Sequence, residues 1–227
     1  LEENVAGQRS LAEMTEGAEA RIFDIAATRN ESRTITELLG PTLDEIEAAT
    51  KSEGNIVGIP TGFDDLDRIT TGWRDSDLTV IAARPGMGKS AFAMQAALYA
   101  AKTGTPTAFF SLEMGASQLV NRVLTAEAGI DNQRARRGEI SNDEWSRLTL
   151  SAGRLSGVPL HIVDTSALSP LELRAQSRRL KLRHNLGLVF VDYLQLMSVP
   201  DMRRSANREQ EISQISRGLK QLAKELS

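Results

Sequence analysis

The chain has 227 residues, 41% apolar, 25% charged and 4% aromatic, with a formal net charge of −3. That is enough to bury the core of one ordinary globular domain with residues to spare. The bland charge excludes a globally basic nucleic-acid coat protein while leaving room for a local basic groove. With no Cys and two His, disulfides and thiolate metal sites are excluded and a His-rich metal site is disfavoured. No apolar run approaches the ~20 residues of a membrane span, and no signal-peptide pattern opens the chain. A cytoplasmic protein without membrane contact is therefore expected. The first residue is Leu1 rather than Met, so the native start is expected to be missing.

Residues 1–34 read as a polar helical tail, with Leu11, Met14, Ala18, Ile22 and Ile25 at spacings of three and four. The stripe resumes at Ile35, Leu38, Leu39, Leu43 and Ile46, with a break or fresh start expected at Gly40-Pro41. The Gly-rich stretch "KSEGNIVGIPTGF" then reads as a loop, and 35–54 as a linker helix and linker. From residue 55 onward strand and helix signals alternate. An apolar strand is expected over 78–83, then a helix from Lys89 that stops at Gly104. "TAFFSL" (107–112) predicts a buried strand, and Leu119, Val120, Val123 and Leu124 mark a helix over 116–128. Ser141 with Glu144 forms a capping box that opens another helix. "PLHIVDT" (159–165) predicts a third strand. Ser169, Pro170 and Glu172 supply an N-cap, an N1 proline and a capping glutamate for the next helix. "LGLVFVD" (186–192) predicts a fourth strand, and Ile212, Ile215, Leu219, Leu222 and Leu226 a long amphipathic helix over 206–226. The alternation argues for an α/β fold with a mainly parallel, doubly wound sheet. Its strands lack clean in/out alternation, as expected where helices cover both faces.

The chemistry concentrates in Ala83, Arg84, Pro85, Gly86, Met87, Gly88, Lys89 and Ser90. The P-loop pattern is Gly, four residues, Gly-Lys-Ser/Thr; here Ala83 stands at the first position, and the setting of apolar run, loop and helix fits. Gly86 and Gly88 let the backbone curl so that its N–H groups face phosphate oxygens, beside the positive end of the following helix. Lys89 would place its charge on the β/γ-phosphates, and the Ser90 hydroxyl would ligate Mg²⁺. Asp192 ends an apolar strand, where a carboxylate can hold Mg²⁺ or its water opposite the loop. Glu113 also closes an apolar strand; its position alone fits both a carboxylate that orients the attacking water and a solvated loop glutamate.

The segments "GIPTGFDDLDRITTGW", "VIAARPGMGKSAFAM", "FFSLEM" and "LVFVDYLQLM", in this order and spacing, resemble DnaB-type replicative DNA helicases. The resemblance covers residues 35 to 226, and Ala at the first loop position is normal for that family. It implies a RecA-like P-loop core, ATP-dependent helicase activity with ATP and Mg²⁺, and a ring or spiral of six subunits. It implies 5′-to-3′ movement on single-stranded DNA, with a helicase loader and a primase as partners. By matching motif it implies that Lys89 and Ser90 hold phosphate and Mg²⁺, that Asp192 is the second-motif carboxylate and that Glu113 is the catalytic base. Gln195, just beyond Asp192, fits a contact within the site or support of a turn. The family continues beyond the point matched by Ser227 with a further strand, a DNA loop and an arginine finger, so a fragment incomplete at both ends is expected. A fragment of that kind fits a nucleotide-binding assembly module without turnover. A RecA-like recombinase or a clock-type ATPase is the rival of the same fold.

For DNA, the loop "SVPDMRRSANREQEI" offers Arg203, Arg204 and Arg208, either as channel contacts to the phosphate backbone or as solvated side chains. Arg174, Arg178 and Lys181 recur at helical spacing and read as a solvated helix face; Arg134, Arg136 and Arg137 read likewise. The linker helix 35–50, an amphipathic segment tethered outside the core, is expected to dock on a neighbouring subunit.

Overall fold

The computed structural model describes residues 33–51, 56–198 and 208–226. The helical stripe read over the first 32 residues, together with Arg203 and Arg204, lies outside the described residues. The chain divides into two compact units, Leu1–Thr50 and Lys51–Ser227.

In the first unit, α1 (Ile35–Lys51) is one continuous helix with Pro41 inside it. The break expected at Gly40-Pro41 does not occur. A proline has a helical φ and forfeits the bond to the carbonyl four residues back, and the turns on either side are secured by other groups. Upstream, the Thr34 N–H donates to Glu37 Oε2 at 3.0 Å while the Glu37 N–H donates to Thr34 Oγ1 at 3.4 Å, a reciprocal cap. Within the helix, Thr42 Oγ1 donates to the Leu38 carbonyl at 2.8 Å. The apolar stripe stands in solvent: Ile35, Leu38, Leu39, Leu43 and Ile46 are all exposed.

The second unit is built on three parallel strands, β1 (Thr107–Ser111), β2 (Leu160–Asp164) and β3 (Leu188–Asp192), in the order β2-β1-β3. β1 is buried along its whole length because both faces are covered. Ala108 and Phe110 point into one core with Leu173, Ile215, Leu219 and Leu222. Phe109 points the other way, into a core with Met94, Ala97, Leu119 and Phe190. Period-two geometry alone divides consecutive residues between the layers. Burying each phenylalanine is worth roughly 1.5–3 kcal/mol, so the two layers lock the register that sets Ser111 opposite both Asp164 and Asp192.

Helices α3 (Lys89–Lys102) and α4 (Ala116–Ala128) supply the second layer, and α7 (Pro170–His184) and α8 (Arg208–Leu226) the first. The short α2 (Asp64–Thr70) precedes them, and α5 (Asn132–Arg137) and α6 (Asn142–Leu155) pack beside α4 around Ala128, Ile130 and Leu148. Both predicted capping boxes are formed, Ser141 with Glu144 and Ser169 with Glu172, the latter with Pro170 at N1. The stretch 58–73 closes over α3. Ile59 and Trp73 form an antiparallel bridge, and buried Asp67 accepts the Thr61 N–H at 2.9 Å. Gly62 is required there: its φ is +83°, and a Cβ would lie 2.5 Å from the Tyr99 ring of α3.

The strand expected over 78–83 is not formed; the run carries no ladder. An apolar run specifies burial, whereas a strand also needs a partner presenting unpaired backbone groups. Leu78 still packs against the first core, but Val80 stands exposed, so the run is neither paired nor buried along its length.

The basic run on α7 is a structural tie rather than a purely solvated face. Arg174 Nε donates to Glu225 Oε2 at 2.7 Å, and Arg178 pairs with the same carboxylate from α8. Burial alone would push Glu225 up, but the two guanidiniums outweigh it and hold the carboxyl below its usual range.

Glu144 carries the clearest pH signature. The Ser141 N–H, reinforced by Arg134, lowers its carboxyl from 4.5 to about 2. A depressed carboxylate contributes stability above its unfolded pKa and loses it as pH falls through the folded value. Thermal melts should therefore separate the parent from Glu144→Gln at pH 6, and the gap should close between about pH 4.5 and pH 2.

Candidate active site

The ends of the three strands converge with the N-terminus of α3, the side of a parallel sheet where ligands bind. The loop of Ala83, Arg84, Pro85, Gly86, Met87 and Gly88 is exposed, and Lys89 and Ser90 open α3 half-buried. Gly86 and Gly88 have φ of +79° and +87°, and a Cβ on either would meet nothing within 4 Å. The requirement there is backbone conformation, not space. Gly88 is the N-cap of α3 and offers no side-chain cap. The first amides of α3 therefore keep their donors for an external acceptor, which is the physical basis of anion binding at a helix start.

Lys89 and Asp192 are brought together across the sheet: Nζ lies 3.1 Å from Oδ1, with the lysine side chain 25% and the aspartate 4% exposed. Lys89 Nζ also stands 3.8 Å from the centroid of the Tyr193 ring, a cation–π contact. The other carboxylate oxygen, Asp192 Oδ2, is buried with no hydrogen-bond partner among the described residues. A buried charge is held by a partner or a metal, so the free oxygen fits a ligand to a divalent cation or to its water. Among the described residues no group of three or more acidic or imidazole side chains forms a metal site by itself. Mg²⁺ is commonly held by one or two carboxylates together with substrate phosphates.

Glu113 sits in the bend between β1 and α4, exposed, at the same end of the sheet. Its bend is fixed by Ser111, whose Oγ donates to the Met114 carbonyl at 2.7 Å and accepts the Met114 N–H at 3.2 Å. The Leu112 N–H donates to the Asp192 carbonyl at 2.8 Å, tying the Glu113 bend to the Asp192 strand end. Asp164, the third carboxylate at this end, is spent on structure: its Oδ2 accepts the Ala116 N–H at 2.9 Å and caps α4.

Arg208 begins α8, where its guanidinium binds the Gln195 carbonyl and Glu211. It faces back toward the turn that follows Asp192. Gln195 serves that turn through its backbone while its side chain is exposed. The role of Tyr193 was missed in the sequence, although it lies beside Asp192. Only the fold shows that its ring underlies Lys89.

Residues 58–227 match the family described as DnaB-like helicase C terminal domain. The chain is similar to Replicative DNA helicase DnaC of Bacillus subtilis (strain 168), with 45% identity over 212 residues, covering 92% of this chain and 46% of that protein. It is similar to Replicative DNA helicase DnaB of Rhodothermus marinus, with 48% identity over 226 residues, covering 95% of this chain and 23% of that protein. The chain thus spans less than half the length of these curated relatives. Among solved structures, the ATPase domain of G40P matches with TM-score 0.79 and 33% identity, covering 86% of this chain and 69% of that one. A DnaB-like replicative helicase, described with its interactions with primase, matches with TM-score 0.75 and 32% identity, covering 93% and 51%. These neighbours carry the RecA-like reading of the parallel sheet and its covering helices. Family match, relatives and fold agree: the chain belongs to the DnaB-like helicase C-terminal domain family.

Proposed function

We propose that this chain is the motor segment of a cytoplasmic replicative DNA helicase, in which ATP hydrolysis drives 5′-to-3′ movement on single-stranded DNA and unwinding of the duplex. The observation that carries the reading is the Lys89–Asp192 pair at the mouth of an uncapped, glycine-shaped helix start. In the nucleotide-free state Asp192 compensates the lysine. An incoming triphosphate offers Lys89 stronger acceptors, so binding exchanges one charge partner for another. The backbone from Ala83 to Ser90 cradles the phosphates. A divalent cation held by Ser90 and Asp192 would neutralise phosphate charge when bound. Glu113, on its Ser111-fixed bend, orients the attacking water and accepts its proton. Calorimetric titration of the chain with a non-hydrolysable Mg·ATP analogue tests the cradle: saturable binding supports it, and no binding overturns it.

Six such chains form the ring or spiral, held by α1 on a neighbouring subunit. Support comes from five exposed apolar side chains on one helix, since such stripes mark interaction surfaces. Leu39→Asp with Leu43→Asp should abolish self-association in light scattering; intact hexamers would remove α1 from the interface. Contacts to DNA are assigned to Arg203 and Arg204, through the phosphate backbone. Arg208 drops behind them because its guanidinium is already engaged. A helicase loader and a primase complete the proposed partners, and the neighbour described with primase supports the latter.

A further inference from the structure

Tyr193 is the first residue past β3, and its backbone is anchored on both sides. Upstream, Asp192 sits in the ladder opposite Ser111, and its carbonyl accepts the Leu112 N–H at 2.8 Å. Downstream, the Tyr193 carbonyl accepts the Leu196 N–H at 3.0 Å, and the Met197 N–H donates to the Leu194 carbonyl at 3.1 Å. Met197 is buried in the first core, and Leu194 packs against that core. The half-buried ring is therefore carried on a fixed turn. Lys89 is the opposite case. Its ammonium ends a flexible four-carbon stem, and at its tip it meets Asp192 Oδ1 at 3.1 Å and the face of the Tyr193 ring at 3.8 Å. The two partners differ in kind. Asp192 carries a full charge, so a triphosphate competes with it for the lysine. The ring attracts the ammonium through its quadrupole and leaves the positive charge unneutralised, so it does not compete with phosphate.

We infer that Tyr193 is the positioning residue for Lys89: its ring is a neutral platform that keeps the ammonium at the mouth of the loop while the charge partner changes from Asp192 to phosphate. A side chain whose freedom is already restricted loses less of it on binding, which raises affinity. A contact made equally before binding, after binding and in the transition state sets KM rather than kcat. A tyrosine that merely filled space would be replaced well by another large apolar side chain. A platform needs an aromatic face, which phenylalanine keeps and leucine lacks. The inference rests on the reading of Ala83–Ser90 as a nucleotide cradle, but it has a readout that needs no nucleotide.

The chain contains six lysines, so carbon-13 labelling at the lysine ε-carbon gives a short NMR spectrum. The Lys89 signal is the one missing from Lys89→Ala. Held over the ring face, the Lys89 ε-methylene protons of the nucleotide-free parent should resonate upfield of those of the other five. The shift should persist in Tyr193→Phe and vanish in Tyr193→Leu, with the amide resonances of β1 and β3 unmoved as the check on the fold. Tyr193→Met replaces the leucine variant should leucine disturb those amides. Affinity for a fluorescent ATP analogue should fall about three- to tenfold in Tyr193→Leu and return to within about twofold of the parent in Tyr193→Phe. In the longest gene product that contains this chain, the loss should fall on KM for ATP rather than on kcat. A parent signal that is not shifted upfield overturns the platform, and so does an affinity that leucine leaves unchanged or that phenylalanine does not restore. A loss confined to kcat overturns it as well. A shift that vanishes in Tyr193→Leu, beside a parent that binds no nucleotide, keeps the platform and removes the cradle.

Discussion

Lys89→Ala is expected to abolish nucleotide turnover and also to destabilise the nucleotide-free protein. The first effect follows from the charge that Lys89 puts on the β/γ-phosphates. Losing a preorganised electrostatic contact of this kind costs about 10²–10³-fold in rate. The second follows from Asp192, whose side chain is 4% exposed and whose Oδ2 already lacks a partner. Removing the lysine leaves that carboxylate buried without compensation, a loss of roughly 1–3 kcal/mol. For a chain of this size each kcal/mol lowers the melting temperature by about 2–4 °C. The cation–π contact with Tyr193 goes at the same time. Calorimetric melts of parent, Lys89→Ala and Lys89→Ala with Asp192→Asn check this. The double variant should recover part of the lost stability, because the uncompensated charge is gone. An unchanged melting temperature in Lys89→Ala would mean that Asp192 finds another partner.

Glu113→Gln is expected to separate binding from hydrolysis. The glutamate is exposed and makes no ion pair that folding depends on among the described residues, while its bend is held by Ser111 rather than by its own carboxylate. The amide should keep the fold and the nucleotide affinity. It cannot accept the proton of water, and removal of a general base typically costs 10²–10⁴-fold. Single-turnover hydrolysis beside equilibrium nucleotide binding gives the two numbers. Hydrolysis at the parent rate would remove Glu113 from the chemistry and direct the search to another carboxylate at this end of the sheet. Asp164 is a poor substitute, since it already caps α4.

Much of this architecture was legible in the residues because its signals are local. The helices at Ser141 and Ser169 announce themselves by reciprocal side-chain caps, which need no tertiary context. The strands at Thr107–Ser111, Leu160–Asp164 and Leu188–Asp192 were visible as short apolar runs, but their order β2-β1-β3 was not. Strand order depends on which helix covers which face. The run at 78–83 shows the limit of an apolar pattern: it says nothing of hydrogen-bond partners, and without a ladder Val80 is left exposed. Pro41 shows the limit of a local breaker, overridden where neighbouring caps hold the helix. At the site, the glycine spacing pointed to the loop, whereas the 3.1 Å approach of Lys89 to Asp192 joins residues far apart in the chain. Arg208 and the α7 arginines were ambiguous for the same reason: a basic run does not disclose whether Gln195 or Glu225 already occupies it.

The most direct test of the motor reading is ATP hydrolysis by the longest form of the gene product that contains this chain. It is measured with and without single-stranded DNA, with Glu113→Gln as the blank. The motor account predicts hydrolysis that single-stranded DNA stimulates and that vanishes in Glu113→Gln. A rate indifferent to DNA, or one undiminished in the variant, would contradict it.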